Sequence, residues 1–176
     1  MTAKLKRGIT KVKDPGSALT HFIAMILAII AAIPLLSKAG HDSGHMRISA
    51  LAIFILSMIG LYAASTIYHT LDISPKINKL LRKIDHMMIF ILIAGTYTPV
   101  CMIVLGDKTG WTMLTLVWGI AIVGILINAL WITCPKWFSS LIYIAMGWVC
   151  VLAITKILNS MPKAGFLWLL AGGVIY

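Results

Sequence analysis

Residues 17–36 read SALTHFIAMILAIIAAIPLL, twenty consecutive positions without Asp, Glu, Lys or Arg. An apolar run of about 18 residues or more is long enough to cross a bilayer as a helix, whereas buried core helices and signal-peptide cores are shorter. No small-residue cleavage site followed by a polar mature domain comes after it, so a secretory signal is a poor reading. The rest of the chain repeats the pattern. Sixty per cent of the 176 residues are hydrophobic and 11% are charged, against about 25% charged in soluble domains, and mean hydropathy is +0.98. The sequence therefore predicts an all-α, polytopic transmembrane helix bundle.

Five full spans are expected, at about Ser17–Leu36, Ile48–His69, Ile84–Leu105, Trp111–Ile132 and Phe138–Leu158. A sixth apolar run, from about Ala164, stops at Tyr176. It makes about 20 Å of helix where the hydrocarbon core needs about 30 Å, so the sequence is expected to break off inside a helix. The division is a basic segment, 1–16, followed by one membrane domain, 17–176, without repeats or low-complexity linkers.

Orientation follows from the cations. Lys4, Lys6, Arg7, Lys11, Lys13, Lys76, Lys79, Arg82, Lys83 and Lys136 fall on one side of the bundle, and Lys38, Arg47, Lys108, Lys156 and Lys163 on the other. The excess predicts a cytoplasmic N-terminus in the cell membrane. The net charge of +10 then reads as attraction to anionic head groups. Membrane lipids are the expected partners. Nucleic acid is not, because the cations sit at span ends rather than on a separate folded surface. Trp111, Trp131 and Trp137 read as interfacial anchors, and Trp118 and Trp148 as deeper packing residues. Cys101, Cys134 and Cys150 show no CxxC spacing and read as reduced.

Polar groups inside spans are costly and mark candidate sites. His21 lies a turn into span one, Ser65 and His69 end span two in AASTIYHTLD, and Asp85 opens span three. All four fall at one end of the bundle. Ser65 and His69, four apart, share a helix face, so the hydroxyl is placed to orient the imidazole or a water beside it. Asp85 supplies a carboxylate to orient a water or accept a proton. Imidazole, carboxylate and hydroxyl together suit zinc and water. Plainer readings stand beside these. Taken alone, His69 reads more readily as an interfacial histidine than as a metal ligand, Asp85 reads as an ion-pair partner of Arg82 or Lys83, Ser65 as bonded to a carbonyl one turn back, and His21 as a capping or packing residue. His86 points about 100° away from Asp85, and His41 and His45 fall in a solvated loop.

With SALTH (17–21), STIYH (65–69), Asp85-His86 and AGTYTP (94–99) in this order, the sequence resembles the hemolysin III family, the bacterial branch of the progestin and adipoQ receptor superfamily. The resemblance covers nearly the whole chain. It implies a seven-helix bundle with a cytoplasmic N-terminus and a zinc ion near that face. By the same resemblance His69 is a zinc ligand, and Ser65 and Asp85 are residues holding the water beside it. His21 is a further residue behind the ligand. Two more ligands are expected from an HxxxH motif in a seventh span, beyond residue 176. Of the acidic residues that family members carry before span one, this sequence has only Asp14. The implied function is a zinc-dependent intramembrane hydrolase acting on a lipid amide. The alternative is a receptor or lipid-homeostasis protein with structural zinc, and the family's name adds a third, a pore-forming cytolysin.

Overall fold

A computed structural model describes residues 12–42, 44–131 and 135–175; Lys4, Lys6, Arg7, Lys11 and Cys134 lie outside them. Seven α-helices follow in order: α1 (Pro15–Asp42), α2 (His45–Thr70), α3 (Pro75–Pro99), α4 (Lys108–Leu130), α5 (Lys136–Trp148), α6 (Ile154–Ser160) and α7 (Lys163–Ile175). A π-helical turn, Val100–Leu105, prolongs α3, and a 3-10 stretch, Val149–Ala153, joins α5 to α6. Five helical segments are long and apolar enough to cross a membrane, and no strand occurs among the described residues.

α3 is the central helix. It packs on α2, α4 and α5, whereas α1 packs only on α2 and α7 only on α6 among the described residues. Phe90, Ala94 and Tyr97 of α3 and Cys101 of the π turn meet Val117 and Ala121 of α4 and Met146 and Ile157 of span five in one buried cluster. Small residues permit these close crossings, because lipid gives helices no hydrophobic reason to associate and tight packing must do it. A Cβ on Gly95 would land on the Ser57 hydroxyl of α2, and one on Gly124 would land in the Phe90 ring.

The AGTYTP segment ties three spans together. The Tyr97 hydroxyl accepts the Cys150 N–H at 2.8 Å and faces the carbonyls of Met146 and Gly147, each at 2.9 Å. It thereby serves the backbone groups released where span five tightens from α to 3-10 geometry. Such groups have no water to turn to in hydrocarbon. Next to it, Trp118 Nε1 donates to Thr98 Oγ1 at 3.2 Å. Trp118 is thus a packing residue, as expected. Trp148 is not: it is 68% exposed on the outer surface, because the helix switch gives the core positions to Met146 and Val149 instead.

The helix ends also depart from the hydropathy boundaries. α3 starts at Pro75 rather than near Ile84, since Ser74 accepts the Ile77 N–H at 3.3 Å and Pro75 fills the first turn. Hydropathy locates the hydrocarbon edge, not the end of the helix. At the far end, Gly106 adopts φ 61° and its N–H caps the Cys101 carbonyl at 3.1 Å. Asp107 then starts α4 by accepting the Gly110 N–H at 3.1 Å, while its carboxylate takes the Lys156 ammonium from α6.

Two outcomes are expected. Tyr97→Phe leaves the Cys150 N–H without its acceptor and should lower stability by about 1–3 kcal/mol, read from thermal unfolding in detergent. The Lys156 ammonium, followed by the Gly110 N–H, holds the Asp107 carboxyl below its usual range. A depressed folded-state value adds stability above the unfolded value and loses it as pH falls through the folded one. The thermal midpoint should therefore drop as pH falls through and below the ordinary carboxylate range, and Asp107→Asn should shrink that drop.

Candidate functional site

The start of α1, the end of α2 and the first part of α3 meet at one end of the bundle. The chain entering α1 runs across the last turn of α2. Lys13 N–H donates to the Thr70 carbonyl at 3.4 Å, and Asp14 N–H to the His69 carbonyl at 2.9 Å. These carbonyls belong to the α2 terminus and have no partner within the helix, so the approaching segment satisfies them. The side chains strengthen the same crossing. Asp14 Oδ2 lies 3.2 Å from His69 Nδ1, and Lys13 Nζ sits 3.5 Å from the centre of the Tyr68 ring, a cation–π contact.

This strap fixes the His69 ring. A carboxylate only accepts, so Nδ1 carries a proton, and in the neutral ring Nε2 keeps its lone pair. The Asp14 side chain is 61% exposed against 18% for His69, and an ion pair so open to solvent contributes little stability. Its consequence is orientation.

One turn deeper, His21 Nδ1 is 2.6 Å from Ser65 Oγ. Ser65 is buried. The hydroxyl therefore serves the histidine of α1 and neither its own helix neighbour His69 nor a carbonyl one turn back. The His21 ring meets His69 edge-on, 5.7 Å between centroids, and Tyr62 at 6.0 Å. Asp14, His21, Ser65 and His69 thus form one contiguous group drawn from α1 and α2.

Asp85 stands apart from it. Its carboxylate is buried on α3 and approaches only His86 Nδ1, at 3.7 Å. That Nδ1 donates its hydrogen bond to the Arg82 carbonyl at 2.8 Å. Neither the Arg82 nor the Lys83 side chain pairs with Asp85 among the described residues; Lys83 Nζ instead donates to the Ala129 carbonyl at 2.9 Å. No hydrogen bond among the described residues joins Asp85 to His21, Ser65 or His69.

For the zinc that the resemblance implies, the residues fit one ligand position. A metal-bound imidazole commonly donates its second ring nitrogen to a carboxylate, and Asp14 and His69 have that pairing. A whole site is not present: among the described residues no three His, Cys, Asp or Glu side chains are grouped to hold a metal ion. Reading the sequence misses the role of Asp14, since its partner is 55 positions away and only the antiparallel packing of α1 on α2 joins them. Its place as the one acid before span one was the available signal.

Five long apolar helical segments with a largely apolar outer surface define a multi-pass α-helical membrane protein. A model of the family described as "Haemolysin-III related" matches residues 9–176. The chain is 38% identical over 177 residues to "Hemolysin-3" of Bacillus cereus, covering 100% of this chain and 80% of that protein. It is 35% identical over 164 residues to "Hemolysin-3 homolog" of Bacillus subtilis (strain 168), covering 93% and 76% respectively. The protein belongs to the hemolysin III family.

If the strap orients His69, Asp14→Ala should shift the His69 ring toward a mixture of tautomers, seen in the nitrogen chemical shifts of labelled histidine. Asp14→Glu should restore the single form. The helix content should be unaltered in both, because the pair is solvent-exposed.

Proposed function

We propose that the protein is a zinc-dependent intramembrane hydrolase acting on a lipid amide, with His69 as one metal ligand. The observation that carries this reading is the Asp14–His69 pair, which directs Nδ1 to the carboxylate and leaves Nε2 as the ring nitrogen available to a metal. The resemblance adds the remaining ligands, which come from outside the described residues. Zinc bound there supplies Lewis acidity and lowers the pKa of water to about 7.

The chain's own residues do the rest. Asp14 holds His69 in one tautomer. Ser65 holds His21 against the His69 edge, which restricts both rings and keeps the space beside them polar. Asp85, a largely buried carboxylate that approaches only His86 among the described residues, is the group suited to take a proton from the attacking water and pass it to the departing amine. In this reading the N-terminus is cytoplasmic and the host bilayer is the cell membrane, as the distribution of Lys and Arg favours.

Purified full-length protein should bind about one zinc and hydrolyse a lipid amide. His69→Ala should remove both metal and activity. Asp85→Asn should keep the metal and lower turnover by about 10²-fold or more; undiminished turnover would remove Asp85 from its role. Zinc retention without hydrolysis of any lipid amide, joined to a lower thermal midpoint for His69→Ala, identifies the metal as structural and the protein as a receptor or lipid-homeostasis factor. Lysis of zinc-free liposomes identifies the third function, cytolysis, which the names of the two relatives carry.

A further inference from the structure

The nine residues by which α3 precedes its expected span form a surface that the proposed hydrolysis does not use. Pro75–Leu105 is 31 residues of continuous helix, about 46 Å long at 1.5 Å per residue, against a hydrocarbon thickness of about 30 Å. Its first turns therefore lie at the level of the head groups. There Ile77, Leu80 and Ile84 fall within about 60° of one another around the helix, and Lys76, Lys79, Arg82 and Lys83 cover an adjoining arc of about 120°. The side facing the protein is a third one, marked by the buried Asp85.

The apolar stripe is open: Ile77 is 38% exposed, Leu80 56% and Ile84 36%. So are Lys76, Lys79 and Arg82. Lys83 is engaged with the Ala129 carbonyl, but no side chain among the described residues pairs with the other three cations. Of the acids near them in sequence, Asp72 is occupied by Asn78 Nδ2 at 2.7 Å, and Asp85 lies on the buried side of the helix beside His86. Three unneutralised cations beside an apolar strip, at head-group depth, complement one kind of molecule.

We propose that this face of α3 is a binding site for an anionic phospholipid, with the head-group phosphate on Lys76, Lys79 and Arg82 and an acyl chain along Ile77, Leu80 and Ile84. Nucleic acid and acidic peptides lack the alkyl chain that the stripe is shaped to cover. The site is independent of the zinc reading and stands or falls without it.

The test equilibrates detergent-solubilised full-length protein with equal phosphatidylglycerol and phosphatidylcholine and counts retained lipid by native mass spectrometry. The wild type should retain phosphatidylglycerol in preference, and lose it as salt rises. Each of Lys76→Gln, Lys79→Gln and Arg82→Gln should weaken retention about fivefold. Ile77→Ser with Leu80→Ser should weaken it for both lipids. Lys38→Gln with Lys163→Gln, cations placed elsewhere, should leave it unchanged, and millimolar inorganic phosphate should not displace the lipid. Equal retention of the two lipids by the wild type, an equal loss in the Lys38/Lys163 control, or displacement by phosphate alone overturns the proposal. Circular dichroism of each variant checks that the helices are intact.

Discussion

Hydrocarbon offers a backbone amide or carbonyl no partner, so each irregularity in a spanning helix must be answered by a side chain or another turn. The Tyr97 hydroxyl gives that answer for the core. Where span five tightens between Trp148 and Ala153, it reaches the backbone of Met146, Gly147 and Cys150. The requirement places Tyr97, and with it α3, against span five. Gly95 and Gly124 then set how near α2 and α4 approach. Pro99 and the π turn that follows hand the chain to Gly106, and the Asp107–Lys156 pair joins the α4 start to α6 at the opposite end.

Much of the fold was legible in the sequence because hydrocarbon imposes a length and a polarity on every span. Five apolar runs, with Asp85 and Lys156 as the only charged residues inside them, translate into five long helical segments. The ends were less legible. Charges at Lys76, Lys79, Arg82 and Lys83 mark where hydrocarbon stops, but helix continues through them because Ser74 and Pro75 set its start. Trp148 illustrates a different gap: depth in a span does not say which face a residue occupies, and a local change of helix type turned it outward.

At the candidate site the residue types were visible and their pairing was not. His21, Ser65, His69 and Asp85 stand out because polar groups in spans are expensive. Spacing within α2 suggested that Ser65 would serve His69. Packing reassigns it, since α1 brings His21 within 2.6 Å of the hydroxyl and Asp14 takes the His69 ring. Those pairings cross 44 and 55 residues of sequence, and nothing local encodes them. Asp85 remains on a third helix with its own surroundings, so the α1–α2 group and the α3 carboxylate are two parts of an arrangement rather than one hydrogen-bonded unit.

α1 touches α2 and no other helix among the described residues, yet it carries half of the histidine cluster. Every contact that orders Asp14, His21, Ser65 and His69 therefore lies within the first helical hairpin. During synthesis that hairpin emerges and inserts before α3 exists. The hydrogen-bonding partners of the two imidazoles are therefore all present once the first two helices have been made.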